Sequence, residues 1–278
     1  MLQDLDSNKF YNQYEEIQKK DTDLVMCFTN NQILVKIEGT VKFPTIKEWQ
    51  SRSVLQFLFR IDDIQYYLAM ENKHEMEAEY EFVNVRSLRD TAVKKDCFAA
   101  ATAYHLYQWY RDNQFCGRCG GSLISDVKER MLFCPHCKNM VYPKIAPAVI
   151  VGLIHKEQIL MTKYAGREYK NYALIAGFTE IGETAEETVR REVMEEVGLK
   201  VRDLTYYKSQ PWGFDSNLLI GFFARLEGED TITRDEGELA LAQWVPREEA
   251  HDMDDGASLT REMMEYYYQK GEKGIFPC

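Results

Sequence analysis

Glutamates stand at fixed spacing in the stretch from residue 177 to residue 199. Gly177 is followed after five residues by Glu183, and after seven more by Arg191-Glu-Val-Met-Glu-Glu-Val-Gly-Leu199. In a helix, the offsets of three and four residues place the carboxylates on one face. Like charges on one face repel each other, so the spacing favours a site that binds cations. These carboxylates are Glu192, Glu195 and Glu196.

Carboxylate oxygens suit Mg²⁺ or Mn²⁺, and these ions bind phosphate oxygens in turn. Such ions neutralise a pyrophosphate and lower the pKa of a bound water. Arg191 lies four residues before Glu195 and can pair with it, which would fix the orientation of that carboxylate. A solvated acidic helix face is the alternative for Glu-x-x-Glu-Glu alone, but the other fixed positions of the stretch argue against it.

The residues around the glutamates predict the helix that carries them. Thr184 followed by Glu187 is a capping-box pattern at a helix start. Gly198 is a good C-cap residue. The adjoining face carries an apolar stripe with members four residues apart, which predicts packing on a core: Ala185, Val189 and Val193.

Composition narrows the classes of protein. The chain has 278 residues, a net charge of −11 and 45% hydrophobic residues, enough for two domains with real cores. An acidic chain argues against sequence-independent binding of nucleic acid, which needs a basic surface. No apolar run approaches the roughly 20 residues of a membrane span, and no signal peptide is visible, so we expect a cytoplasmic protein.

The hydrophobic pattern predicts an α/β protein in three parts: an N-terminal α/β domain at 1–110, a cysteine module at 111–142 and a catalytic domain at 143–278. In the first part we expect a short polar helix at 11–20, a hairpin of strands 24–28 and 33–37, strands 54–61 and 64–70, and a helix at 96–111. In the last part we expect strands at 148–153, 158–162, 218–225 and 240–245, and a closing helix at 259–270.

Two arginines in the first part, Arg86 and Arg89, follow a strand-like stretch. They are candidates to face a phosphate, although the simpler interpretation is two ordinary surface arginines.

Four of the seven cysteines form two C-x2-C pairs separated by fourteen residues. Four thiolates at this spacing suit a tetrahedral structural Zn²⁺, which leaves no open position for substrate. A redox dithiol and disulfides are the alternatives, and His136 is a substitute ligand. The odd number of cysteines argues against a secreted disulfide framework. The four are Cys116, Cys119, Cys134 and Cys137.

The glutamate stretch, G-x5-E-x7-R-E-V-x-E-E-x-G-L, resembles the Nudix box with no fixed position missing. This resemblance implies metal-dependent hydrolysis of a nucleoside diphosphate linked to another group, on an α/β/α sandwich with a mixed sheet. Downstream, Ser209-Gln-Pro-Trp-Gly-Phe-Asp-Ser-Asn217 resembles the S-Q-P-W-P-F-P-x-S signature of the NADH pyrophosphatase branch. A four-cysteine ribbon ahead of the Nudix domain belongs to the same branch, and the branch implies a homodimer.

The resemblance also implies roles for individual residues. The catalytic set is Glu183, Arg191, Glu192, Glu195 and Glu196, with Glu195 or Glu196 as general base. The catalytic ions would be held by Glu192, Glu195, Glu196, Glu238 and the backbone carbonyl of Ala176, with Glu236 as a competitor for Glu238. The nicotinamide dinucleotide would contact Tyr142, Phe178, Gln210, Pro211, Trp212, Gly213, Phe214, Asp215, Ser216 and Asn217.

Three positions depart from the signature, which has two prolines and a final serine where this chain has Gly213, Asp215 and Asn217. Glycine makes the segment more flexible than proline would. Asp215 places a negative charge near the expected position of an anionic substrate. The departures therefore lie in the segment that should select the substrate.

These observations predict hydrolysis of NADH or NAD⁺ to nicotinamide mononucleotide and AMP, with Mg²⁺ or Mn²⁺ as catalytic ion and structural Zn²⁺. Removal of an NAD cap from RNA by the same chemistry is the close alternative, for which the ribbon offers three basic residues: Arg118, Lys128 and Arg130. A non-catalytic dinucleotide sensor is an alternative of another class, but such a protein would be expected to lose metal-binding glutamates, and this chain keeps them.

Overall fold

The computed structural model describes residues 1–15, 18–49, 54–70, 79–166, 171–251 and 256–277. The chain forms two compact units. The N-terminal unit consists of residues 2–144 and 212–216, and the C-terminal unit of Met1, residues 145–211 and residues 217–278. Within the described ranges, no helix is long and apolar enough to cross a membrane.

The N-terminal unit combines short strands with one long helix. Its strands are β1 (Phe10–Tyr11), β2 (Leu24–Met26), β3 (Phe28–Thr29), β4 (Gln32–Glu38), β5 (Thr40–Lys42), β6 (Leu55–Ile61), β7 (Ile64–Ala69), β8 (Glu81–Asn84), β9 (Ile124–Ser125), β10 (Leu132–Phe133) and β11 (Met140–Val141). A 3-10 turn at Val85–Ser87 leads to helices α1 (Leu88–Thr91) and α2 (Lys94–Asp112). The strands form sheets β1-β6-β7-β2, β3-β4-β5 with β8 beside β4, and β11-β10-β9.

Most elements predicted for this unit are confirmed. β3 and β4 form the expected hairpin, with Phe28 opposite Ile33 and Asn30 at a positive φ of 52° in the turn. β6 and β7 are antiparallel around the turn at Asp62, and α2 covers the predicted helix.

The helix predicted at 11–20 is wrong where the structure describes that stretch. Phe10–Tyr11 form an edge strand opposite Arg60–Ile61, and residues 12–15 and 18–20 have no regular secondary structure. Residues 16 and 17 lie outside the described ranges. A short polar segment has no apolar face to bury as a helix, whereas the Phe10 ring packs edge-on against Phe59 and Phe98.

The C-terminal unit is a sheet between two helices. Its elements are β12 (Ala146–His155), β13 (Gln158–Tyr164), β14 (Ile175–Phe178), α3 (Ala185–Val197), β15 (Lys200–Trp212), β16 (Asn217–Glu227), β17 (Leu239–Pro246) and α4 (Leu259–Ile275). The order β15-β16-β12-β13-β17, with β14 beside β12, is a mixed sheet, because β12 runs parallel to β16 and antiparallel to β14.

Alternate residues of β12 build the two cores of this unit. Val149 and Val151 pack in one buried cluster with the valines of α3. Ile150 and Ile154 pack in the other, with Met263 of α4. Because successive strand residues point to opposite faces, one strand carries both layers. The predicted α/β/α sandwich with a mixed sheet is confirmed, as are the predicted strands and the closing helix.

Candidate active site

Caps at both ends and three buried valines hold helix α3 on the sheet. The Thr184 hydroxyl accepts from the backbone N–H of Glu187, and the Glu187 carboxylate accepts from that of Thr184, so the predicted capping box is present. Gly198 ends the helix at φ 69°, in the left-handed region that favours glycine. Full burial of each apolar side chain contributes about 1.5–3 kcal/mol, and three valines of the helix are fully buried: Val189, Val193 and Val197.

The Arg191 guanidinium lies at the centre of the glutamates. It donates to both carboxylate oxygens of Glu183, from Nε to Oε1 at 2.6 Å and from Nη2 to Oε2 at 2.9 Å. Nη1 donates to Glu192 Oε1 at 2.7 Å and Glu195 Oε2 at 2.9 Å, and Nη2 to the carbonyl of Phe178 at 2.8 Å. One planar, permanently charged group therefore orients three carboxylates and the end of β14.

Glu183 is held as an anion. The Arg191 guanidinium lowers the pKa of its carboxyl from 4.5 to about 2, helped by the backbone N–H of Glu180. The Thr188 hydroxyl adds a further hydrogen bond to Oε2 at 3.1 Å. Sequence reasoning missed this contribution of Thr188, although its offset of five residues from Glu183 leaves it one helical turn from the cap.

Gly177 makes room for the Glu192 carboxylate. A Cβ on this glycine would lie 1.9 Å from Glu192 Cδ and 2.0 and 2.2 Å from its two oxygens. The carboxylate thus packs directly on the strand backbone, and only 9% of the residue is exposed. Burial raises the pKa of Glu192, while Arg191 opposes the shift. A buried carboxylate of this kind gains from a nearby cation.

The other glutamates differ in their surroundings. Glu196 is 3% exposed, whereas 60% of the Glu195 side chain is open to solvent. Glu238, in the turn before β17, adds a negative potential that raises the pKa of Glu192 further. Glu236 instead pairs with Arg234 at 3.3 Å. Glu238, and not Glu236, is therefore among the charges that act on Glu192.

The side chains of this helix face offer hard oxygen ligands of the kind that a divalent cation takes. Carboxylates from Glu192, Glu195 and Glu196 lie on one helix, and Ala176 precedes Gly177 on the adjacent strand β14. Ions such as Mg²⁺ take several oxygen ligands of this type.

The four cysteines of the ribbon converge on one point. All four sulfurs lie within 4.8 Å of one another, and Cys116–Cys137 and Cys119–Cys134 are each 3.5 Å apart. A tetrahedral Zn²⁺ with Zn–S bonds of about 2.3 Å requires sulfurs roughly 3.8 Å apart, so the set fits structural zinc. His136 is exposed and lies outside this group.

Two matching turns present the cysteine pairs. The N–H of Gly120 donates to the carbonyl of Cys116, and the N–H of Lys138 to that of Cys134, at 2.8 and 2.9 Å. Gly120 and Lys138 both have positive φ, 73° and 61°. The same turn is therefore used twice, and the two cysteine pairs would hold Zn²⁺ from equivalent turns.

The segment predicted to select the substrate divides between strand and turn. Residues 209–212 form the end of β15, and residues 213–216 form a turn. Gln210 is fully buried: it donates to the carbonyl of Ala257 at 2.6 Å and accepts from the N–H of Leu259 at 2.7 Å. Phe214 is only 3% exposed. Both side chains thus act on the shape of the segment.

The remaining predicted residues lie in different places. Pro211 is exposed, and Asn217 begins β16 opposite Ala146. Tyr142 belongs to the N-terminal unit, as do residues 212–216, and donates to Glu129 Oε2 at 3.0 Å. The glutamates, Ala176 and Phe178 belong to the C-terminal unit.

Known family models match two consecutive parts of the chain. A model of the NUDIX domain matches residues 144–267, and a model of the NADH pyrophosphatase zinc ribbon domain matches residues 111–142. The NAD-capped RNA hydrolase NudC of Escherichia fergusonii is 33% identical over 199 residues, 72% of this chain and 70% of that protein. The chain belongs to the Nudix family, in the branch with the NADH pyrophosphatase zinc ribbon.

Other Nudix relatives match over shorter stretches. NAD-capped RNA hydrolases NudC of Pectobacterium atrosepticum and Photorhabdus laumondii are 37% and 41% identical over 166 and 145 residues. These alignments cover 60% and 52% of this chain and only 64% and 56% of the relatives' own lengths.

The three basic residues of the zinc ribbon differ in how exposed their charges are to a ligand. Arg130 donates to Asn12 Oδ1 at 2.8 Å and to the carbonyl of Leu58, and its guanidinium lies 5.5 Å from the Tyr14 ring centre. Burial lowers the pKa of Arg130. Arg130, one of the three basic candidates for RNA, therefore makes its hydrogen bonds inside the N-terminal unit. Arg118 and Lys128 are exposed.

Proposed function

We propose that this protein hydrolyses the pyrophosphate bond of NADH or NAD⁺ to nicotinamide mononucleotide and AMP. The observation that carries the proposal is the carboxylate cluster held by Arg191, with Glu192 seated on Gly177. The zinc ribbon that precedes the Nudix domain in the sequence, of the type described for NADH pyrophosphatases, supports a dinucleotide as substrate.

The residues of the site have different roles in this reaction. Glu192, Glu195 and Glu196, with Glu238 and the carbonyl of Ala176, would hold the catalytic ion. When bound, Mg²⁺ or Mn²⁺ would neutralise charge on the phosphates and activate a water molecule.

The general base is Glu195 or Glu196, which accepts a proton from the water that attacks phosphorus. Arg191 and Glu183 keep the carboxylates oriented, so little reorganisation is needed as charge develops.

Two aromatic side chains are available to stack on the flat rings of the substrate. Tyr142 is 51% exposed and Phe178 is 54% exposed. Stacking on an aromatic ring contributes about 1–3 kcal/mol per base. Because both rings are half-exposed and lie outside the cores, they can stack on a ligand ring without any loss of core packing. This supports their assignment to ring contacts with the substrate.

Removal of the NAD cap from RNA is the second candidate. The relatives that match this chain are named as NAD-capped RNA hydrolases, which favours this activity. The bond cleaved is the same, so the site described above would serve both substrates. The net charge of −11 and the internal use of Arg130 reduce the basic surface available for RNA.

A side-by-side comparison of initial rates tests both candidates. NADH, NAD⁺, ADP-ribose, diadenosine polyphosphates and NAD-capped RNA are each incubated with Mg²⁺ or Mn²⁺, and AMP or decapped RNA is quantified. We expect AMP from NADH, loss of activity in EDTA and nearly complete loss in Glu196→Gln. A protein that binds these dinucleotides without releasing product is a sensor, and that result would reject the enzyme.

Assembly and location are also proposed. We propose a homodimer, on the family resemblance, and sedimentation velocity would detect it. We propose the cytosol as compartment, because the odd number of cysteines argues against a secreted disulfide framework.

A further inference from the structure

Asp215 is bound by two neighbours in the N-terminal unit. Its Oδ1 accepts a charged hydrogen bond from Arg86 Nη2, and its Oδ2 accepts from the indole Nε1 of Trp212 at 3.0 Å. The backbone N–H of Asp215 donates to the carbonyl of Trp212 at 3.2 Å. One carboxylate therefore ties the turn to an arginine that lies 129 residues away along the chain.

Arg86 and its neighbour Arg89 lie against the aromatic rings of the turn. The Arg89 guanidinium is 5.3 Å from the centre of the Trp212 ring, and that of Arg86 is 5.7 Å from the centre of the Phe214 ring. The two rings meet edge-to-face at 5.1 Å. These distances are within the range of cation–π and aromatic contacts, so both ring positions depend on the arginines.

Gly213 brings the turn against the backbone of α2. A Cβ at this position would lie 2.2 Å from the carbonyl oxygen of Ala101. Neither proline nor any other side chain fits there unless the turn moves away from the helix. Ser216 adds a hydrogen bond to Gln108 of α2 at 3.3 Å. The turn is thus seated on α2 at Gly213 and held from the side by Arg86.

We propose that Arg86 and Asp215 are positioning residues that set the orientation of Trp212 for substrate binding. Where the resembled signature restricts the turn with proline rings, this chain restricts it with an ion pair and a close glycine contact. The pair also neutralises Asp215, so its charge does not oppose an anionic substrate. The effect of this ion pair on substrate binding rests on the proposed function, whereas its effect on the orientation of Trp212 does not.

The ion pair is open to solvent, with side-chain exposures of 48% for Arg86 and 46% for Asp215. Salt screens exposed pairs, and their contribution is small. We therefore expect a moderate effect on the Michaelis constant, about threefold, that is greatest at low ionic strength.

The test compares Arg86→Gln and Asp215→Asn with a matched control, Arg202→Gln. Arg202 pairs with Asp203 at similar exposure, 53% and 44%, in the C-terminal unit. Circular dichroism checks the fold of each variant. Trp212→Phe identifies the contribution of Trp212 to the emission of the four tryptophans. Emission is measured without substrate, and kcat and KM with NADH.

In both Arg86→Gln and Asp215→Asn, we expect the Trp212 emission to shift to longer wavelength and KM to rise about threefold. We expect kcat to stay within about twofold, Arg86→Lys to restore KM in part, and Arg202→Gln to change neither signal. Unchanged emission in both variants would overturn the proposal, and so would a shift in emission with unchanged KM. If wild-type protein hydrolyses neither NADH nor NAD⁺, the proposed function fails, and the emission still decides whether the pair orients Trp212.

Discussion

Replacement of Gly177 by alanine tests the contact on which the proposed metal site depends. The new Cβ would lie 1.9 Å from Glu192 Cδ. To regain an ordinary contact of about 3.4 Å, the carboxyl carbon must move by about 1.5 Å. Because the carboxylate is the end of a flexible side chain, it can move, but it then leaves the position that Arg191 Nη1 holds at 2.7 Å.

The expected loss is large for activity and moderate for stability. A displacement of about 1 Å at a reacting group costs on the order of 100-fold in rate, so kcat/KM for NADH should fall about 100-fold. Overpacking in a filled site costs about 1–3 kcal/mol, so the free energy of unfolding should decrease by no more than that.

The assay follows AMP formation from NADH across a titration of Mn²⁺, with urea unfolding of the same samples. Gly117→Ala is the control, since a Cβ there meets no atom within 4 Å. We expect Gly117→Ala to keep wild-type rates. If Gly177→Ala keeps a kcat/KM within threefold of wild type with an unchanged Mn²⁺ dependence, the contact with Glu192 is not needed for the reaction.

Three further predictions concern pH, zinc and the fold around the substrate segment. The folded-state pKa of Glu183 is lowered from 4.5 to about 2, so its stabilisation is present above pH 4.5 and is lost as pH falls towards 2. The difference in Tm between wild type and Glu183→Gln should therefore be largest above pH 5 and shrink in acid; a difference that is constant down to pH 2 would contradict the assignment. Wild-type protein should contain one Zn²⁺ per chain by elemental analysis, and Cys119→Ser should lose it together with the fold of residues 111–142; a zinc-free ribbon that remains folded would show that the ion is not structural. Gln210→Leu should lower the free energy of unfolding in urea by about 1–3 kcal/mol, because it removes the buried partner of the Ala257 carbonyl and the Leu259 N–H; unchanged stability would mean that these hydrogen bonds do not hold the segment.

Local patterns in the sequence predicted the helix of the active site accurately. Capping at Thr184, termination at Gly198 and the valine face all follow from contacts over three or four residues, and such contacts depend on helix geometry alone. The helix predicted at 11–20 was wrong because its local pattern was weak. Phe10–Tyr11 instead pair with the distant strand β6. Pairing with a distant strand cannot be read from a short window.

Contacts between distant residues were decided by the tertiary structure. Sequence spacing predicted the pair of Arg191 with Glu195, but the bidentate pair with Glu183 requires the loop before α3 to fold back. The packing of Glu192 on Gly177 requires β14 to lie beside α3. Asp215 was expected to place a negative charge near an anionic substrate, whereas the fold supplies Arg86 as its partner.

The sequence by itself determined the chemistry of this protein: a set of carboxylates at helical spacing, four thiolates in two pairs, and an aromatic segment at residues 209–217. These depend on residue type and on offsets of a few positions, which the covalent chain and hydrogen-bonded helix fix directly. Only the tertiary structure decided which carboxylates are buried, that Arg191 also orients Glu183, and what holds Trp212. Those properties depend on sheet register and on packing between segments far apart in the chain, where small displacements separate a bonded pair from a solvated one.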